Sequence, residues 1–349
     1  MSLTGAANYE YVVARVRHRR AALFGEEEYR KLLRMGPGEI ARFMEETEYE
    51  TEINRLGARY DGVDLIEYAL RENVGKHFDD LLRWSTGQLY DLVARYLRKF
   101  DAWNAKTVLR GTFSDATDEE VRADLIDAGE FDAGLRASLV GADSIERVVE
   151  LLSETALGAG LEAAYDEYEE TGLLVPLENA IDRAYYEGLA TDGVRGGQAV
   201  RLYERFLETE IDFRNVRNVL RIERSGADID PASYFIEGGS LFTESEVRQL
   251  AGAREELVAR LRASRYGDEL EGPLDDLEEA ESLIGFERAL DEALVAYSDY
   301  LSHVYPLSVC PVLAYVLAKE REVDNIRAIA RGHEAGLSRE QIEAELVTL

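Results

Sequence analysis

One acidic cluster in the sequence has the spacing that a magnesium site needs. Asp275, Asp276, Glu278 and Glu279 stand within five residues, and an all-helical enzyme of isoprenoid diphosphates would hold Mg²⁺ through carboxylates of similar spacing. Because 70 of the 349 residues are acidic, such clusters also arise by chance. Two interpretations follow, a magnesium-dependent diphosphate enzyme and a solvated acidic helix face, and the composition favours the second.

Other residue types that often carry chemistry are scattered along the chain. Gly193–Gly197 is rich in glycine but lacks Gly-Lys-[Ser/Thr] and a preceding strand, so it predicts a helix-initiating turn rather than a phosphate-binding loop. Cys310 lies in an apolar stretch and is expected to be a small core residue. The histidines lack the spacing of metal ligands and are expected at surface or boundary positions: His18, His77, His303 and His333. We predict no catalytic residue, cofactor or metal.

The dominant feature is a ten-residue pattern, Asp-x-x-Asn-x-[Lys/Arg]-x-x-x-Arg, that occurs three times. Its acidic position recurs after 111 and then 110 residues. The copies consist of Asp101, Asn104, Lys106 and Arg110, of Asp212, Asn215, Arg217 and Arg221, and of Glu322, Asn325, Arg327 and Arg331. The third copy departs from the pattern by carrying Glu in place of Asp. A second set of positions keeps nearly the same interval, namely Glu67, Glu178 and Glu287. An internal repeat of this kind predicts three related structural units.

A helical projection separates the motif into two faces. At 100° per residue, the Asn lies about 60° from the acidic position, whereas the two basic positions lie about 140° and 180° away. The acid and the Asn share the face of the following apolar residues, so they must be hydrogen-bonded and are expected to tie this helix to a neighbour. The basic residues are expected either to form a solvated row with acidic surface partners or to contact a partner protein or another domain.

The repeat divides the chain into three predicted helical domains, which comprise residues 1–114, 115–225 and 226–349. Helix starts with the capping-box form follow the domain junctions, at Thr117 with Glu120 and at Thr243 with Glu246. No proline-rich linker separates the domains, so they are expected to pack on one another. Three segments, Glu28–Arg30, Glu120–Arg122 and Glu246–Arg248, look like equivalent N-terminal helices, although their intervals are unequal.

Composition points to an all-α protein adapted to high salt. Only six prolines occur, and stretches rich in Ala, Leu, Glu and Arg have apolar residues every three or four positions. The net charge is −30, which would strain the compact state in dilute buffer, whereas near 1 M salt the Debye length falls to roughly 3 Å and the repulsion is screened. A halophilic cytoplasm is therefore expected. The absence of a basic face argues against nucleic acid as a partner.

The sequence predicts neither membrane insertion nor export. The most apolar stretch, Tyr305–Ala318, contains prolines and is shorter than the roughly 20 residues that cross a hydrocarbon core. Residues 1–8 are small and polar and do not form an apolar signal region.

Four segments in order give the chain a resemblance to a known family. They are Asn8–Arg17 (NYEYVVARVR), Tyr29–Leu33 (YRKLL), Glu210–Arg221 (EIDFRNVRNVLR) and Glu320–Ile329 (EREVDNIRAI). With the threefold repeat, they make the whole chain resemble the C subunits of archaeal A-type ATP synthases, which are related to the C subunits of bacterial V-type enzymes and to the d subunits of eukaryotic V-ATPases.

The resemblance implies a fold and a role. The fold would be a funnel of three similar helical domains with pseudo-threefold symmetry. The role would be that of a non-catalytic socket on the cytoplasmic face of the cell membrane, peripheral and without direct insertion. Such a socket couples the central-stalk subunits of the D and F types to the membrane proteolipid ring for proton-driven ATP synthesis. The alternative function is a general α-helical protein-binding scaffold outside any rotary motor.

Overall fold

The protein is described by a computed structural model that covers residues 7–189, 197–225, 230–250, 252–268, 270–272, 274–275 and 284–347. These residues contain seventeen α-helices and a 3₁₀-helix at Pro231–Tyr234, and no β-strand lies among them, so the all-α prediction is confirmed. The helices are α1 (Tyr9–Arg20), α2 (Glu26–Leu32), α3 (Pro37–Met44), α4 (Glu50–Leu56), α5 (Gly62–Trp84), α6 (Gln88–Phe113), α7 (Asp118–Asp124), α8 (Ala133–Val140), α9 (Ile145–Ser153), α10 (Leu161–Thr171), α11 (Val175–Leu189), α12 (Gln198–Ser225), α13 (Glu244–Leu250), α14 (Arg254–Arg262), α15 (Ile284–Val304), α16 (Cys310–Glu334) and α17 (Arg339–Glu343).

The chain divides into two compact units. One contains Arg71–Val194 together with Met1–Asn8, and the other contains Tyr9–Leu70 together with Arg195–Leu349. We call them the central unit and the terminal unit. The division into three domains at residues 114 and 225 remains a prediction.

The central unit is built around α6, a helix of 26 residues. α6 packs against α11, which runs antiparallel to it, and also against α7, α8 and α9. The buried stripe of α6 recurs at helical spacing and includes Leu89, Val93, Leu97, Phe100, Ala105, Val108 and Leu109. Phe100 meets Phe78 of α5 with ring centroids 5.0 Å apart. A single amphipathic helix therefore organises the core of this unit.

The terminal unit is built around α16, which follows α15 as a helical hairpin. α1, α2, α3 and α17 also pack on α16, and α12 packs on α15. Every residue of α16 from Cys310 to Lys319 is buried. This explains the long apolar stretch seen in the sequence, because a helix covered on all sides needs no polar face. Cys310 belongs to this core, as predicted, and burial raises the pKa of its thiol.

Capping boxes start two helices where the sequence predicts them. The Thr117 hydroxyl accepts from the Glu120 N–H, and the Glu120 carboxylate accepts from the Thr117 N–H at 2.9 Å. Thr243 and Glu246 make the same reciprocal bonds. Both predictions are confirmed, and the two helices, α7 and α13, begin at the residue after the Thr.

The longest helices carry charged residues along their length, as Asp91, Arg95 and Lys99 of α6 illustrate. Within the described ranges, no helix combines sufficient length with sufficient apolar character to span a membrane.

Candidate functional site

The three motif copies build three equivalent hydrogen-bond networks, and their Asn residues make the most regular contact. In each copy the Asn side chain exchanges two bonds with one backbone residue: its amide donates to the carbonyl and its oxygen accepts from the N–H. The lengths are 2.7 and 2.8 Å for Asn104 with Ile126, 2.9 and 3.0 Å for Asn215 with Ile236, and 2.8 and 3.0 Å for Asn325 with Val347. A backbone donor and a backbone acceptor are thus satisfied by one buried side chain.

The acidic residue of each of the first two copies receives consecutive backbone N–H groups. Asp101 accepts from Glu130 at 2.7 Å and from Phe131 at 3.0 Å. Asp212 accepts from the N–H groups of Ser240 and Leu241 at 2.8 and 2.9 Å. Both carboxylates are buried. They anchor a chain segment that lies 28 to 30 residues further on.

In both copies a glycine allows the backbone to come close to the Asp carboxylate. Gly129 and Gly239 directly precede the first N–H donor, and a Cβ atom at either position would clash with the Asp carboxylate. Gly129 also has φ of +95°, which disfavours any residue with a side chain. The two glycines are therefore part of the repeat, at an interval of 110 residues.

In the third copy a longer acidic side chain, Glu322, accepts the backbone N–H. Glu322 accepts from the Phe24 N–H at 2.5 Å, and the two residues before Phe24 are Ala22 and Leu23 rather than glycine. Glu is one methylene longer than Asp, so it can reach a backbone that lies farther from the helix, as a segment without glycine requires. Glu322 is completed by the Tyr49 hydroxyl at 2.6 Å and the buried Lys319 ammonium at 2.7 Å.

A tyrosine hydroxyl completes two of the three networks. Tyr266 donates to Asp212 at 2.7 Å, just as Tyr49 donates to Glu322. Burial raises the pKa of both phenols, which keeps them protonated as donors. Each tyrosine follows a Ser/Thr turn in which the hydroxyl two residues earlier accepts from its N–H. The first copy has the same turn, but Leu157 stands in the tyrosine position.

Asp101 therefore has fewer neutralising contacts than its counterparts. Burial raises the pKa of Asp101 to about 7, while the N–H groups of Glu130 and Phe131 act in the opposite direction. The Glu130 carboxylate raises the pKa further, and the Arg136 guanidinium lowers it. Burial thus brings the pKa of the Asp101 carboxyl close to neutral pH.

The networks correct one helix assignment made from the sequence. The anchored residues Phe24, Phe131 and Leu241 are followed by α2, α8 and α13, so these three helices are equivalent. The alignment of Glu120–Arg122 in α7 with α2 and α13 was wrong. Instead, α7 corresponds to α17, because each packs against a glycine that lies ten residues after the motif acid, with Val121 on Gly111 and Ile342 on Gly332. Similar three-residue segments at helix starts produced the false match.

The basic motif residues pair with carboxylates on the adjacent long helix. Lys106 and Arg110 of α6 contact Asp182 and Glu178 of α11 at 2.5 and 2.6 Å. Arg217 and Arg221 of α12 contact Asp291 and Glu287 of α15, each at 2.7 Å. Arg327 and Arg331 of α16 both contact Glu67 of α5, at 2.9 and 2.6 Å. The sequence spacing identified the three glutamates as a recurring set but did not match them with the arginines.

The order of these contacts links each motif with the repeat that follows it. The partners of the first motif lie between residues 126 and 182, and those of the second between 236 and 291. The partners of the third come from both ends of the chain, with Val347 near the C-terminus and Phe24, Tyr49 and Glu67 in the predicted first repeat. In each of the first two networks, one continuous stretch of chain supplies all the partners of the motif. In the third network, two separate stretches supply them, one near the C-terminus and one in the predicted first repeat.

The other residues considered for chemistry are described only in part. Asp275 pairs with Arg262, while Asp276, Glu278 and Glu279 lie outside the described residues, as do residues 193–196 of the glycine-rich segment. His77 is buried on α5, contrary to the surface or boundary position expected for it. In the described ranges, no cluster of three or more His, Cys, Asp or Glu side chains could hold a metal ion.

The fold and the three networks place the chain in the class of all-helical repeat proteins with buried polar anchors. Comparison with known proteins gives the family. The family model of the ATP synthase (C/AC39) subunit matches residues 12–345. The chain is 65% identical to the C subunit of the A-type ATP synthase of Haloferax volcanii over 349 residues, covering all of both chains. It is 61% identical to that of Halobacterium salinarum over 354 residues, again covering both chains, and 36% identical to that of Methanococcoides burtonii over 346 residues, 98% of this chain and 95% of the relative.

The chain belongs to the ATP synthase (C/AC39) subunit family. It is accordingly an accessory structural subunit of an ATP synthase rather than a catalytic one. Similarity to proteins of halophilic archaea also agrees with the charge of −30, because acidic surfaces are stable where salt screens their repulsion.

Proposed function

We propose that this chain is the socket that couples the central stalk of a rotary ATP synthase to its membrane proteolipid ring. Its partners would be the central-stalk subunits of the D and F types on one side and the cytoplasmic loops of the ring on the other. The protein would lie at the cytoplasmic face of the membrane as a peripheral component. It would not bind nucleic acid, since a net charge of −30 disfavours the many phosphate contacts that nucleic-acid binding requires.

The observation that carries this proposal is the threefold recurrence of the Asn and acid anchors. A coupling part must transmit torque without bending, so its helices need contacts that resist sliding as well as apolar packing. Directional hydrogen bonds between a buried side chain and the backbone fix the register of two segments. Apolar packing alone leaves more freedom to shift.

The cyclic order of the contacts supports the proposal further. The anchors of the third motif hold Val347 and Phe24, so one helix binds a residue near the C-terminus and a residue of the predicted first repeat. A protein that surrounds a rotating stalk requires this kind of link between its last and first repeats. A funnel built from three repeats is the arrangement that we propose to meet this requirement.

The outer basic residues are our candidates for partner or interdomain contacts. Arg110, Arg221 and Arg331 have more than half of their side chains exposed while each is ion-paired with a glutamate. In concentrated salt, long-range attraction is screened, so such contacts would act through short hydrogen bonds. Lys106, Arg217 and Arg327 are less exposed and are more suited to contacts within the protein.

Binding assays with each rotor part separately test the proposal. The tagged chain is incubated in about 2 M KCl, where screening is nearly complete, with detergent-solubilised proteolipid ring or with the central-stalk subunits. We expect retention of both partners on the tagged chain. Arg110→Ala, Arg221→Ala and Arg331→Ala should weaken retention of one partner and leave the other unchanged.

The controls separate the socket from the general scaffold. Circular dichroism in the same salt establishes that the chain and its variants are folded. Retention of unrelated helical proteins but of neither rotor part would overturn the proposal and support a general scaffold. Magnesium-dependent diphosphate binding that Asp275→Ala abolishes would instead revive the enzyme interpretation.

A further inference from the structure

Helix α1 carries a concentration of positive charge that is unusual for this protein. Its twelve residues include four arginines, His18 and one acidic residue, Glu10, whereas acidic residues outnumber basic ones by 70 to 40 in the whole chain. Arg15, Arg17 and His18 are exposed. A basic helix face on an acidic protein indicates a surface that meets an anionic partner.

An exposed apolar surface lies at the end of the α15–α16 hairpin. Tyr300, Val304 and Leu307 are 59%, 46% and 60% exposed. From Tyr300 to Ala318 the chain contains no Asp, Glu, Lys or Arg, although charged residues make up 32% of the sequence. The exposed part of this stretch therefore lacks the acidic residues that cover the rest of the protein.

Side-chain contacts place α1 beside this hairpin. Arg20 at the end of α1 pairs with Asp299, which directly precedes Tyr300. Arg19 hydrogen-bonds the Tyr315 hydroxyl of α16. α1 packs on α16, so the exposed side chains of the basic helix lie on the same helical hairpin as the uncharged end. We call this region the basic-apolar surface and define it by Arg15, Arg17, His18, Tyr300, Val304 and Leu307.

We propose that the basic-apolar surface binds a lipid surface with phosphate headgroups. Tyrosine and aliphatic side chains beside arginines are the combination that segments at a membrane interface use, because the apolar groups enter the acyl boundary while guanidinium groups bind phosphates. An acidic protein partner would match the arginines but not the neighbouring uncharged hairpin end. This inference extends beyond the proposed socket function and does not require either rotor partner.

High salt sets the balance between the two contributions. At multimolar KCl the attraction between separated charges is screened within roughly 3 Å, so the arginines act only through direct contacts with phosphate. Apolar insertion, in contrast, is not weakened by screening. The apolar residues therefore supply most of the binding, and the arginines select for headgroups with phosphate.

Flotation of the full-length chain with vesicles tests the inference. Phosphatidylglycerol vesicles are compared with vesicles of digalactosyldiacylglycerol, which lacks phosphate, in about 2 M KCl. We expect binding to phosphatidylglycerol at least about fivefold stronger, as one to two basic contacts would give. Val304→Asp with Leu307→Asp should lower binding to both vesicles by at least about tenfold, because burial of large aliphatic side chains is lost.

Matched variants make the outcome decisive. Arg15→Gln with Arg17→Gln should lower phosphatidylglycerol binding to the level seen on the glycolipid. Leu173→Asp changes an equally exposed leucine of the central unit and should leave binding unchanged. Equal binding to vesicles with and without phosphate would overturn the inference, and so would unchanged binding by the Val304→Asp, Leu307→Asp variant. A different pair of results would also overturn the inference: the unsubstituted chain does not bind vesicles, and the Val304→Asp, Leu307→Asp variant no longer binds lipid-free rotor ring. The surface would then be a contact with a protein.

Discussion

Asn104 and Ile126 lie 22 residues apart and exchange two hydrogen bonds through one side chain and one peptide unit. Asn215 repeats this contact with Ile236, and Asn325 repeats it with Val347. A donor and an acceptor of the backbone are thereby satisfied without regular secondary structure. In the first two copies the segment after the motif helix is fixed in position by this contact together with the motif acid, whereas in the third copy the acid Glu322 holds Phe24.

Asn104→Leu should destabilise the central unit by about 1–3 kcal/mol, because it leaves the N–H of Ile126 unpaired, while the Ile126 carbonyl keeps its bond from the Ala128 N–H. Denaturant unfolding in high salt measures the loss, and hydrogen exchange at the Ile126 amide should accelerate. Asn218→Leu is the matched control, since the one side-chain bond of Asn218 within the described ranges goes to the Tyr234 carbonyl. Equal effects of the two substitutions would contradict the anchoring role.

Asp101 should make the stability of the central unit depend on pH near neutrality. Burial raises its pKa to about 7, above the ordinary value of 3.8. Its stabilising contribution is therefore complete below its unfolded-state pKa and is lost as pH rises through about 7, with a slope of up to about 1.4 kcal/mol per pH unit. Unfolding free energies measured from pH 5 to 8 should show this slope, and Asp101→Asn should remove it. Parallel curves for both proteins would contradict the assignment.

Glu67 should contribute more to stability than its counterpart Glu178. Glu67 has 5% of its side chain exposed and receives Arg327 and Arg331, whereas Glu178 has 23% of its side chain exposed and pairs with Arg110. Although burial alone would raise the pKa of Glu67, the two arginines lower it. Its contribution is thus present above the ordinary pKa and is lost as pH falls through the lowered value.

The substitution Glu67→Gln should cost about 1–3 kcal/mol near neutral pH, and Glu178→Gln less than about 1 kcal/mol. Thermal unfolding in about 0.5 and 2 M KCl checks both, because the pair of the less buried Glu178 should lose more of its contribution with salt. A larger loss from Glu178→Gln would show that burial does not decide the strength of these pairs.

Tyr266→Phe should destabilise the terminal unit by about 1.5–3 kcal/mol, since the Asp212 carboxylate loses a buried charged hydrogen bond. Tyr9→Phe provides the control, because the buried Tyr9 hydroxyl has no hydrogen-bond partner among the described residues. Its removal should be neutral or slightly stabilising. Chemical denaturation of both variants measures the difference, and similar effects would remove the case for a phenol–carboxylate anchor.

The all-helical fold and the faces of the motif helix were accessible from sequence because they depend on local periodicity. Asp101 and Asn104 share the apolar face and are buried, whereas Arg110 lies on the opposite, exposed face. The capping boxes are equally local, since Thr117 and Glu120 need only one helical turn.

The partners of the motif were not accessible in the same way, because they depend on which repeat packs against which. Glu178 recurs with Glu67 and Glu287, yet their spacing does not reveal that Arg110 reaches forward to Glu178 and Arg331 back to Glu67. A sharper signal was present in Gly129 and Gly239, which recur in step with the acidic position. The third copy departs from the others in two ways, since it has Glu instead of Asp and lacks the glycine before the anchored segment. Both departures have one steric cause, because an Asp carboxylate this close to the backbone leaves no room for a Cβ atom.

Native mass spectrometry of the assembled rotor tests the central claim most directly. The chain, the central-stalk subunits and the detergent-solubilised proteolipid ring are mixed in about 2 M KCl to preserve the acidic fold, then exchanged rapidly into a volatile salt. The account predicts a complex in which one copy of this chain is required for stalk and ring to remain together. A stalk–ring complex of equal abundance without the chain, or a folded chain that joins neither part, would contradict it.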